Sequence, residues 1–171
     1  MTTSNCIIIP LNDNLITMVD IVDSDLFFMN WKAVSRGNTY YVTFQKCYGR
    51  KIHVHFHLHR MILARVLGRE LLKTELVDHI DGDGLNNLRS NIRLSTHAEN
   101  MRNRKIHKNN TMGYKGVRQR KGRKTYQAVI TINAKVIRLG TFGTPEEAAQ
   151  AYNEAAIKYF GEFARLNIIP K

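Results

Sequence analysis

One stretch decides the fold of this chain, Val77-Asp78-His79-Ile80-Asp81-Gly82-Asp83-Gly84-Leu85-Asn86-Asn87, followed closely by Asn91-Ile92-Arg93-Leu94 and by Glu99-Asn100. It places a histidine, carboxylates and carboxamides around a turn, with apolar residues on either side. The apolar residues between 76 and 80 predict a short buried strand. Residues 81–84 must end that strand, because glycine adopts backbone angles that other residues resist. The pattern is typical of a functional site rather than of a linker.

The residues after the turn predict a second strand and a helix. Residues 92–94 alternate apolar, basic and apolar, as a short strand does. Ser95 or Thr96 then begins a helix, and Thr96 with Glu99 three residues later forms a capping box. Asn100 is therefore expected in the first turns of this helix. The predicted unit is strand, loop, strand, helix.

This unit resembles the ββα-metal nuclease motif of HNH homing endonucleases. The shared pattern is D-H-x-D-G-x-x-x-N-N-x-x-x-N-[IL]-R, followed by E-N. The resemblance implies that His79 is the general base, that Asp78 and Asn100 bind a metal, and that Asn91 holds the base in place. Because Asn100 stands where other branches of the family have histidine, the chain resembles the phage-intron H-N-N branch.

Phosphodiester hydrolysis requires these residue types. A water must lose a proton near neutral pH, which suits a histidine with an unperturbed pKa of ~6.5. Asp and Asn supply oxygen ligands, and two such ligands leave room for water and a phosphate oxygen, which is how Mg²⁺ is usually held. We therefore expect a divalent metal cofactor, Mg²⁺ or alternatively Mn²⁺, and no small-molecule cofactor.

The adjacency of Asp78 and His79 raises a geometric question, because neighbours in a regular strand point to opposite faces. The two side chains converge on one phosphate only if the strand ends or twists there, which the glycine-rich turn allows. An Asp/Asn/Gly-rich surface turn is the alternative without chemistry. A calcium-binding loop is excluded, since Leu85 occupies the fifth ligand position.

The first fifty residues and the histidines that follow predict structure more than chemistry. Residues 6–9, 15–19 and 40–44 form short β-type runs, residues 23–31 suggest a short capped helix, and Trp31 is assigned to the core. His53, His55, His57 and His59 alternate with apolar residues on one strand face. At most two could share a metal, because same-face residues lie about 6.6 Å apart. A strand or strand-to-helix junction beside phosphate is the favoured interpretation, and the next residues predict a helix that ends at Gly68.

The charge of the chain indicates a polyanionic partner. The formal net charge is +12, and residues 101–143 contain neither Asp nor Glu. We expect double-stranded DNA as the partner. No apolar run approaches the ~20 residues of a membrane span, and nothing in the sequence resembles a secretory signal. Cys6 and Cys47 form no C-x-x-C pair and no disulfide framework, so we expect a reducing compartment. We expect a cytoplasmic protein of a bacterial or phage-infected cell. A monomer is favoured, and no membrane partner is expected.

Three strands and one helix are predicted after residue 112. The strands are expected at 114–120, 126–133 and 135–142, and the helix at 145–160. Thr144 and Glu147 form a second capping box, and Gly161 ends the helix. An apolar helix face is predicted from Ala148, Tyr152, Ala155, Ala156 and Tyr159.

These residues resemble the APETALA/ethylene-response-factor DNA-binding domain of plants and its bacterial and phage relatives. The resemblance covers roughly residues 112–167, and its motifs are Tyr114-x-Gly116-Val117-Arg118-Gln119-Arg120, Leu139-Gly140-Thr141-Phe142, Glu146-Glu147-Ala148-Ala149-x-Ala151-Tyr152-x-x-Ala155-Ala156 and Leu166-Asn167. It implies that the sheet lies in the major groove and that the helix backs the sheet. Alternation turns Val117, Ala128, Ile130, Ile137 and Leu139 toward the helix. The candidates for the DNA side are Lys115, Arg118, Arg120, Gln127, Val129, Thr131 and Arg138, joined by Arg102, Arg104 and Lys105 of the basic linker.

Together these patterns predict an α+β protein in three parts. Residues 1–100 form an HNH nuclease domain with a β-rich lead-in, residues 101–111 a basic linker, and residues 112–167 a three-stranded antiparallel sheet packed on one helix. The expected activity is that of a metal-dependent DNA endonuclease of the homing type. The alternative is a sequence-specific DNA-binding regulator with a non-catalytic HNH scaffold. An RNA-binding module is less favoured, because the sheet lacks a run of exposed aromatic residues for stacking bases.

Overall fold

The computed structural model describes residues 6–37, 39–49, 52–107, 109–120 and 122–170. The backbone divides into two compact units, Met1–Asn100 and Met101–Lys171. The division falls inside a helix, and residues 101–111, expected as a linker, lie within the second unit. Both units combine small antiparallel sheets with few helices, which confirms the predicted α+β class. Within the described ranges, no helix is long and apolar enough to cross a membrane.

The first unit contains an N-terminal hairpin, a three-stranded sheet, a helix, and the strand–loop–strand–helix segment predicted from the sequence. Its elements are β1 (Cys6–Pro10), β2 (Ile16–Asp20), β3 (Lys32–Arg36), β4 (Thr39–Tyr48), β5 (Ile52–His57), α1 (Leu58–Leu67), β6 (Leu76–His79), β7 (Ile92–Ser95) and α2 (His97–Asn103). The sheet has the order β3-β4-β5, while β1 pairs with β2 and β6 with β7. The predicted capping box begins α2, since the Glu99 side chain accepts a hydrogen bond from the Thr96 backbone, and Gly68 ends α1 with a φ of 63°.

A single apolar core joins the hairpin, the sheet and α1. Its fully buried members include Val19, Val42, Leu58 and Ile62. Trp31 also lies in this core, as predicted, and its indole Nε1 donates a hydrogen bond of 2.8 Å to the Leu26 carbonyl. The helix expected at 23–31 is instead a run of 3₁₀ turns, Ile21–Phe28.

A buried carboxylate ties these turns to the rest of the unit. Asp23 has no exposed surface and accepts hydrogen bonds from Arg65 of α1 at 3.0 Å and from Arg89 at 2.8 and 3.0 Å. Burial raises the pKa of Asp23, but the two guanidinium groups outweigh burial and hold that pKa below its usual value. Arg65 also binds Asp25, whose side chain is 65% exposed.

The second unit is a three-stranded antiparallel sheet covered by one helix. Its elements are β8 (Val117–Gln119), β9 (Tyr126–Ile132), β10 (Lys135–Phe142) and α3 (Pro145–Phe160), and the strand order is β10-β9-β8. The Thr144–Glu147 capping box is confirmed, as is the end of α3 at Gly161. The first strand is shorter than predicted. Gly116, with a φ of 76°, interrupts it, and a Cβ there would lie 2.0 Å from the Tyr152 ring.

The helix face packs on the sheet with two differences from the prediction. Ala148, Tyr152 and Ala156 are buried as expected, but Tyr159 is 44% exposed and Phe160 is buried in its place. The buried side of α3 is centred toward Ala149 and Ala156, so Phe160, four residues after Ala156, turns inward in the last turn.

Among the sheet residues predicted to face the helix, one departs from the prediction. Val117, Ala128 and Ile130 are buried as expected, whereas Ile137 is 38% exposed. A bulge between Arg138 and Gly140 shifts the register of β10, and Leu139 there contacts the buried clusters. A bulge adds a residue to one strand and disturbs the alternation of its faces, which a pattern of period two does not predict.

We expect Asp23→Asn to lower the free energy of unfolding by about 2 to 3 kcal/mol, because removing one partner of a buried ion pair leaves the other charge uncompensated. The cost is limited because the two arginines keep some contact with solvent. Asp25→Asn is the matched control and should cost less than about 1 kcal/mol, as exposed pairs do. Urea unfolding at pH 7 measures both.

The pH dependence of this effect follows from the lowered pKa of Asp23. The stabilisation is present above the unfolded value of about 3.9 and is lost as the pH falls through the folded pKa. The difference between the wild-type protein and Asp23→Asn should therefore shrink at acidic pH. Equal costs for the two variants at pH 7 would contradict the role of Asp23.

Candidate active site and DNA-facing surface

The end of β6 carries the two residues at the centre of the candidate active site. Asp78 pairs with Arg93 of β7, and His79 pairs with Ile92. The strand stops at His79, because the His79 carbonyl accepts a turn hydrogen bond from the Gly82 amide at 2.8 Å. Ile80, expected in the buried strand, is consequently 42% exposed. The strand therefore ends at His79, where it must end or twist if the side chains of Asp78 and His79 are to converge on one phosphate.

The His79 ring is buried and surrounded by aromatic rings and one carboxamide. It is 5% exposed, and its Nε2 lies 3.2 Å from Oδ1 of Asn87. Ring centroids of His59 and Tyr41 lie 5.3 and 6.1 Å away. Burial lowers the pKa of His79 below its ordinary value, and the Asn87 contact and nearby carboxylates oppose this effect only in part. The lowered pKa favours the neutral imidazole, the form that can accept a proton.

Asn87 is a site residue that the sequence reasoning missed. It is fully buried, and its Nδ2 donates to Thr17 Oγ1 at 2.9 Å and to the Gly84 carbonyl at 3.1 Å. Thr17 lies on β2, in the region to which no chemistry was assigned. The Asn-Asn doublet at 86–87 is part of the motif, so a signal for Asn87 was present, but nothing in the local pattern points to Thr17.

Asn91, predicted to hold the base His79 in place, forms hydrogen bonds with the turn that follows His79. Its Nδ2 donates to Asp81 Oδ1 at 2.9 Å and to the Asn86 carbonyl at 2.8 Å, and its Oδ1 accepts from the Asp81 amide at 3.1 Å. Its carbonyl accepts from the Ile80 amide at 2.8 Å. Asn91 thus shapes the backbone on the C-terminal side of His79.

The candidate metal ligands supply hard oxygen donors. Asp78 is buried, and Arg93 Nε and Nη2 both donate to its Oδ2, at 3.0 and 2.8 Å. Asn100 is half-buried in the first turns of α2. Among the residues that the structure describes, no set of three or more His, Cys, Asp and Glu side chains could hold a metal ion. One carboxylate and one carboxamide nevertheless fit Mg²⁺, which is usually held through one or two carboxylates, water and phosphate.

The four alternating histidines do not share one strand face. β5 ends at His57 and α1 begins at Leu58, so His59 is a helical residue. The rings of His57 and His59 lie 5.5 Å apart, and His59 extends this contact to His79. Burial, followed by the neighbouring His79, holds the pKa of His59 well below its ordinary value. His53 instead lies beside Gln45, whose Nε2 is 2.9 Å from His53 Nδ1.

The loop after the turn approaches the sheet so closely that it requires a glycine. A Cβ on Gly84 would lie 1.9 Å from the Tyr40 carbonyl oxygen. The Gly84 amide donates to Thr39 Oγ1 at 3.0 Å, and its carbonyl binds Asn87. Gly84 thus sets the distance between β4 and the loop that contacts His79.

The outer face of the second sheet carries most of the predicted DNA-binding residues. Arg118 and Thr141 both lie opposite Gln127, and Arg138 lies opposite Val129. Arg118, Arg120, Thr131 and Arg138 are exposed and Gln127 is half-buried. Val129, predicted as a candidate for the DNA side, is instead buried. The strand register therefore brings Arg118, Gln127 and Arg138 onto one surface.

The basic residues predicted for the linker differ in their exposure and in their contacts within the second unit. Arg104 and Lys105 are exposed, while Arg102 stacks its guanidinium 4.9 Å from the centre of the Phe160 ring. Lys115 Nζ donates to the carbonyls of Arg102 and Arg104. Burial, with repulsion from Arg165, lowers the pKa of Lys115 to about 8. The Lys115 ammonium is thus engaged within the second unit.

The comparisons with known proteins follow the two units. A family model described as HNH endonuclease matches residues 56–102, and one described as AP2 domain matches residues 112–162. The chain is 38% identical over 112 residues to an uncharacterized HNH endonuclease of Acanthamoeba polyphaga mimivirus, covering 66% of this chain and 57% of that protein. It is 35% identical over 89 residues to Protein 3.8 of Escherichia phage T7, covering 52% and 73%. An ethylene-responsive transcription factor of Arabidopsis thaliana is 35% identical over 104 residues, covering 58% and 64%.

These matches confirm both resemblances seen in the sequence. The chain contains an HNH endonuclease domain. It joins this domain to an AP2 domain of the ethylene-response-factor type. The chain spans little more than half the length of the mimivirus relative.

We expect Gly84→Ala to lower the free energy of unfolding by about 1 to 3 kcal/mol, since overpacking forces backbone shifts. The change should also move the loop that contacts His79. Gly143→Ala is the control, because a Cβ there meets its nearest atom at 3.6 Å, an ordinary contact. Thermal unfolding and the NMR shifts of the His79 ring report the two effects. If Gly84→Ala is destabilised but the NMR shifts of the His79 ring are unchanged, the loop does not set the environment of His79.

Proposed function

We propose that this chain is a metal-dependent DNA endonuclease of the homing type, in which His79 activates the water that cuts the DNA and the AP2 sheet reads the target. The observation that carries this proposal is the buried His79 ring at the end of β6, next in the chain to the buried carboxylate of Asp78. A base of this kind is a common requirement of hydrolysis near neutral pH. The matched HNH endonuclease model and the mimivirus relative support the same reaction class.

The proton transfer uses residues of the first unit. His79 takes a proton from a water molecule, the water oxygen bonds to phosphorus, and the bond from phosphorus to the 3′ oxygen breaks. Asp78 and Asn100 would hold a divalent cation, Mg²⁺ by the chemistry of these donors. Such a cation, when bound, supplies charge stabilisation for the phosphate and for the departing oxygen. Arg93 orients the Asp78 carboxylate through its two hydrogen bonds.

A DNA-binding regulator with a non-catalytic HNH scaffold is the second candidate. The AP2 match and the ethylene-responsive relative of Arabidopsis thaliana favour it. The interior of the first unit favours the nuclease, because a buried imidazole and a buried carboxylate are costly to keep in a scaffold without chemistry. Cleavage itself separates the two functions.

His79→Ala should reduce the rate of DNA cleavage by about 10²- to 10⁴-fold, the usual contribution of a general base. Plasmid nicking in Mg²⁺ measures the rate, and excess chelator should abolish cleavage by the wild-type protein. DNA affinity, measured in chelator, should stay unchanged, because the base acts on water and not on the groove. His97→Ala, an exposed histidine at the start of α2, is the control. Wild-type cleavage by His79→Ala would assign the base elsewhere.

Arg118→Ala should weaken DNA binding by roughly 1 to 3 kcal/mol and relax preference at one base position, if Arg118 binds guanine through two hydrogen bonds. A pure phosphate contact would instead flatten the slope of log affinity against log salt by about 0.9. Lys158→Ala on α3 is the control and should leave both quantities unchanged. The measurement is a binding-site selection at several salt concentrations, and an unaltered profile and slope would remove Arg118 from the interface.

A further inference from the structure

The orientation of the Asn87 carboxamide is set by its own donors. Its Nδ2 donates to the Gly84 carbonyl at 3.1 Å and to Thr17 Oγ1 at 2.9 Å. The Thr17 hydroxyl donates its proton to the Leu85 carbonyl at 2.6 Å, so toward Asn87 it acts as an acceptor. A flipped amide would place its oxygen against the Gly84 carbonyl oxygen, which is repulsive. The amide oxygen therefore points away from these groups.

That amide oxygen faces the His79 ring. Oδ1 of Asn87 lies 3.2 Å from His79 Nε2, and a carboxamide oxygen can only accept a hydrogen bond. Nε2 must therefore carry a proton. In a neutral imidazole the other nitrogen, Nδ1, then holds the lone pair. The hydrogen-bond network thus selects one of the two tautomers of His79.

The network depends on a strand outside the matched nuclease family region. The HNH model begins at residue 56, whereas Thr17 lies on β2 and is fully buried. Backbone hydrogen bonds attach β2 to the loop, from the Met18 amide to the Leu85 carbonyl at 3.2 Å and from the Asn87 amide to the Met18 carbonyl at 3.0 Å. The N-terminal hairpin therefore supports Asn87 with both backbone and side-chain contacts.

We propose that Thr17 and Asn87 are positioning residues that hold His79 in the tautomer with the proton on Nε2, so that Nδ1 is the atom that accepts the proton of water. The catalytic consequence rests on the proposed nuclease function, but the tautomer does not. Removing the partner that fixes the tautomer of a metal-binding histidine typically costs about 10- to 100-fold in metal affinity or activity, and we expect an effect of the same order on His79. Because Thr17 is fully buried, it would act on the reaction only through Asn87.

The direct test is the tautomer of His79 in the full-length, metal-free protein. Long-range ¹H–¹⁵N NMR distinguishes a protonated from an unprotonated ring nitrogen, and loss of the signal in His79→Gln assigns it. We expect the wild-type ring to carry its proton on Nε2 at neutral pH. Asn87→Leu and Thr17→Val should shift the ring toward a mixture of tautomers, while Thr17→Ser, which keeps the hydroxyl, should retain the wild-type state.

Asn86→Ala is the matched control. The Asn86 side chain binds Asp81 Oδ2 at 2.8 Å, so this variant disturbs the same loop without removing the ring contact. It should leave the tautomer unchanged. Thermal unfolding of each variant identifies any that does not fold. Thr17 and Asn87 are both fully buried, and Thr17→Val is the milder of the two substitutions.

Kinetics complete the test. Thr17→Val and Asn87→Leu should lower kcat about 10- to 100-fold with little change in KM, and Thr17→Ser should recover most of the rate. A wild-type ring protonated on Nδ1, or folded variants that keep both the Nε2 proton and kcat, would overturn the proposal. If the wild-type protein cuts no DNA with Mg²⁺ or Mn²⁺ but Asn87→Leu removes the Nε2 preference, the nuclease function fails and the positioning role stands.

Discussion

The buried carboxamide of Asn87 is the interaction on which the geometry of the first unit depends. It joins Thr17 of β2, the Gly84 carbonyl and the His79 ring within hydrogen-bond distance. A buried amide costs free energy unless its donors and its acceptor are satisfied, and here both are. The three segments that contain Thr17, Gly84 and His79 are therefore held in place by the need to satisfy the hydrogen bonds of the buried Asn87 amide.

The same burial explains the electrostatic state of the site. His79 and His59 are both buried, and their rings lie 5.3 Å apart, so protonation of either would place a charge in a dry environment beside the other. Desolvation is the first cause of the lowered pKa of each ring. The Nδ1 atoms of His57 and His59 are buried without a hydrogen-bond partner among the described residues. Such atoms are rare in structural cores, so these histidines differ from ordinary packing residues.

The second unit distributes its positive charge unevenly. Arg118 and Arg138 lie on the exposed sheet face, whereas Lys115 binds carbonyls of residues 102 and 104 and Arg102 stacks on Phe160. A cation with intramolecular partners contributes less to a polyanion interface than one that extends into solvent. The acid-free run from 101 to 143 therefore includes residues that hold the unit together as well as candidate DNA contacts.

Much of the fold was predictable because it depends on interactions within a few residues. The strand–turn–strand–helix unit, both capping boxes and the glycine that ends each of α1 and α3 follow from local backbone preferences. The two family resemblances came from the same local spacing. The predictions failed where distant packing decides the outcome. Tyr159 is exposed in the last turn of α3, and Ile137 is exposed beside a bulge.

The sequence by itself determined the candidate residues for chemistry in the first unit, since Asp78, His79, Asn91 and Asn100 stand at the spacings of the HNH motif that the chain resembles. Only the tertiary structure decided which partner the His79 ring contacts. Asn87 is oriented by Thr17, seventy residues earlier in the chain, and that hydrogen bond exists because β2 pairs with the loop at 85–87. A local pattern cannot encode this choice, because it depends on which buried polar groups are brought together when the hairpin closes on the loop.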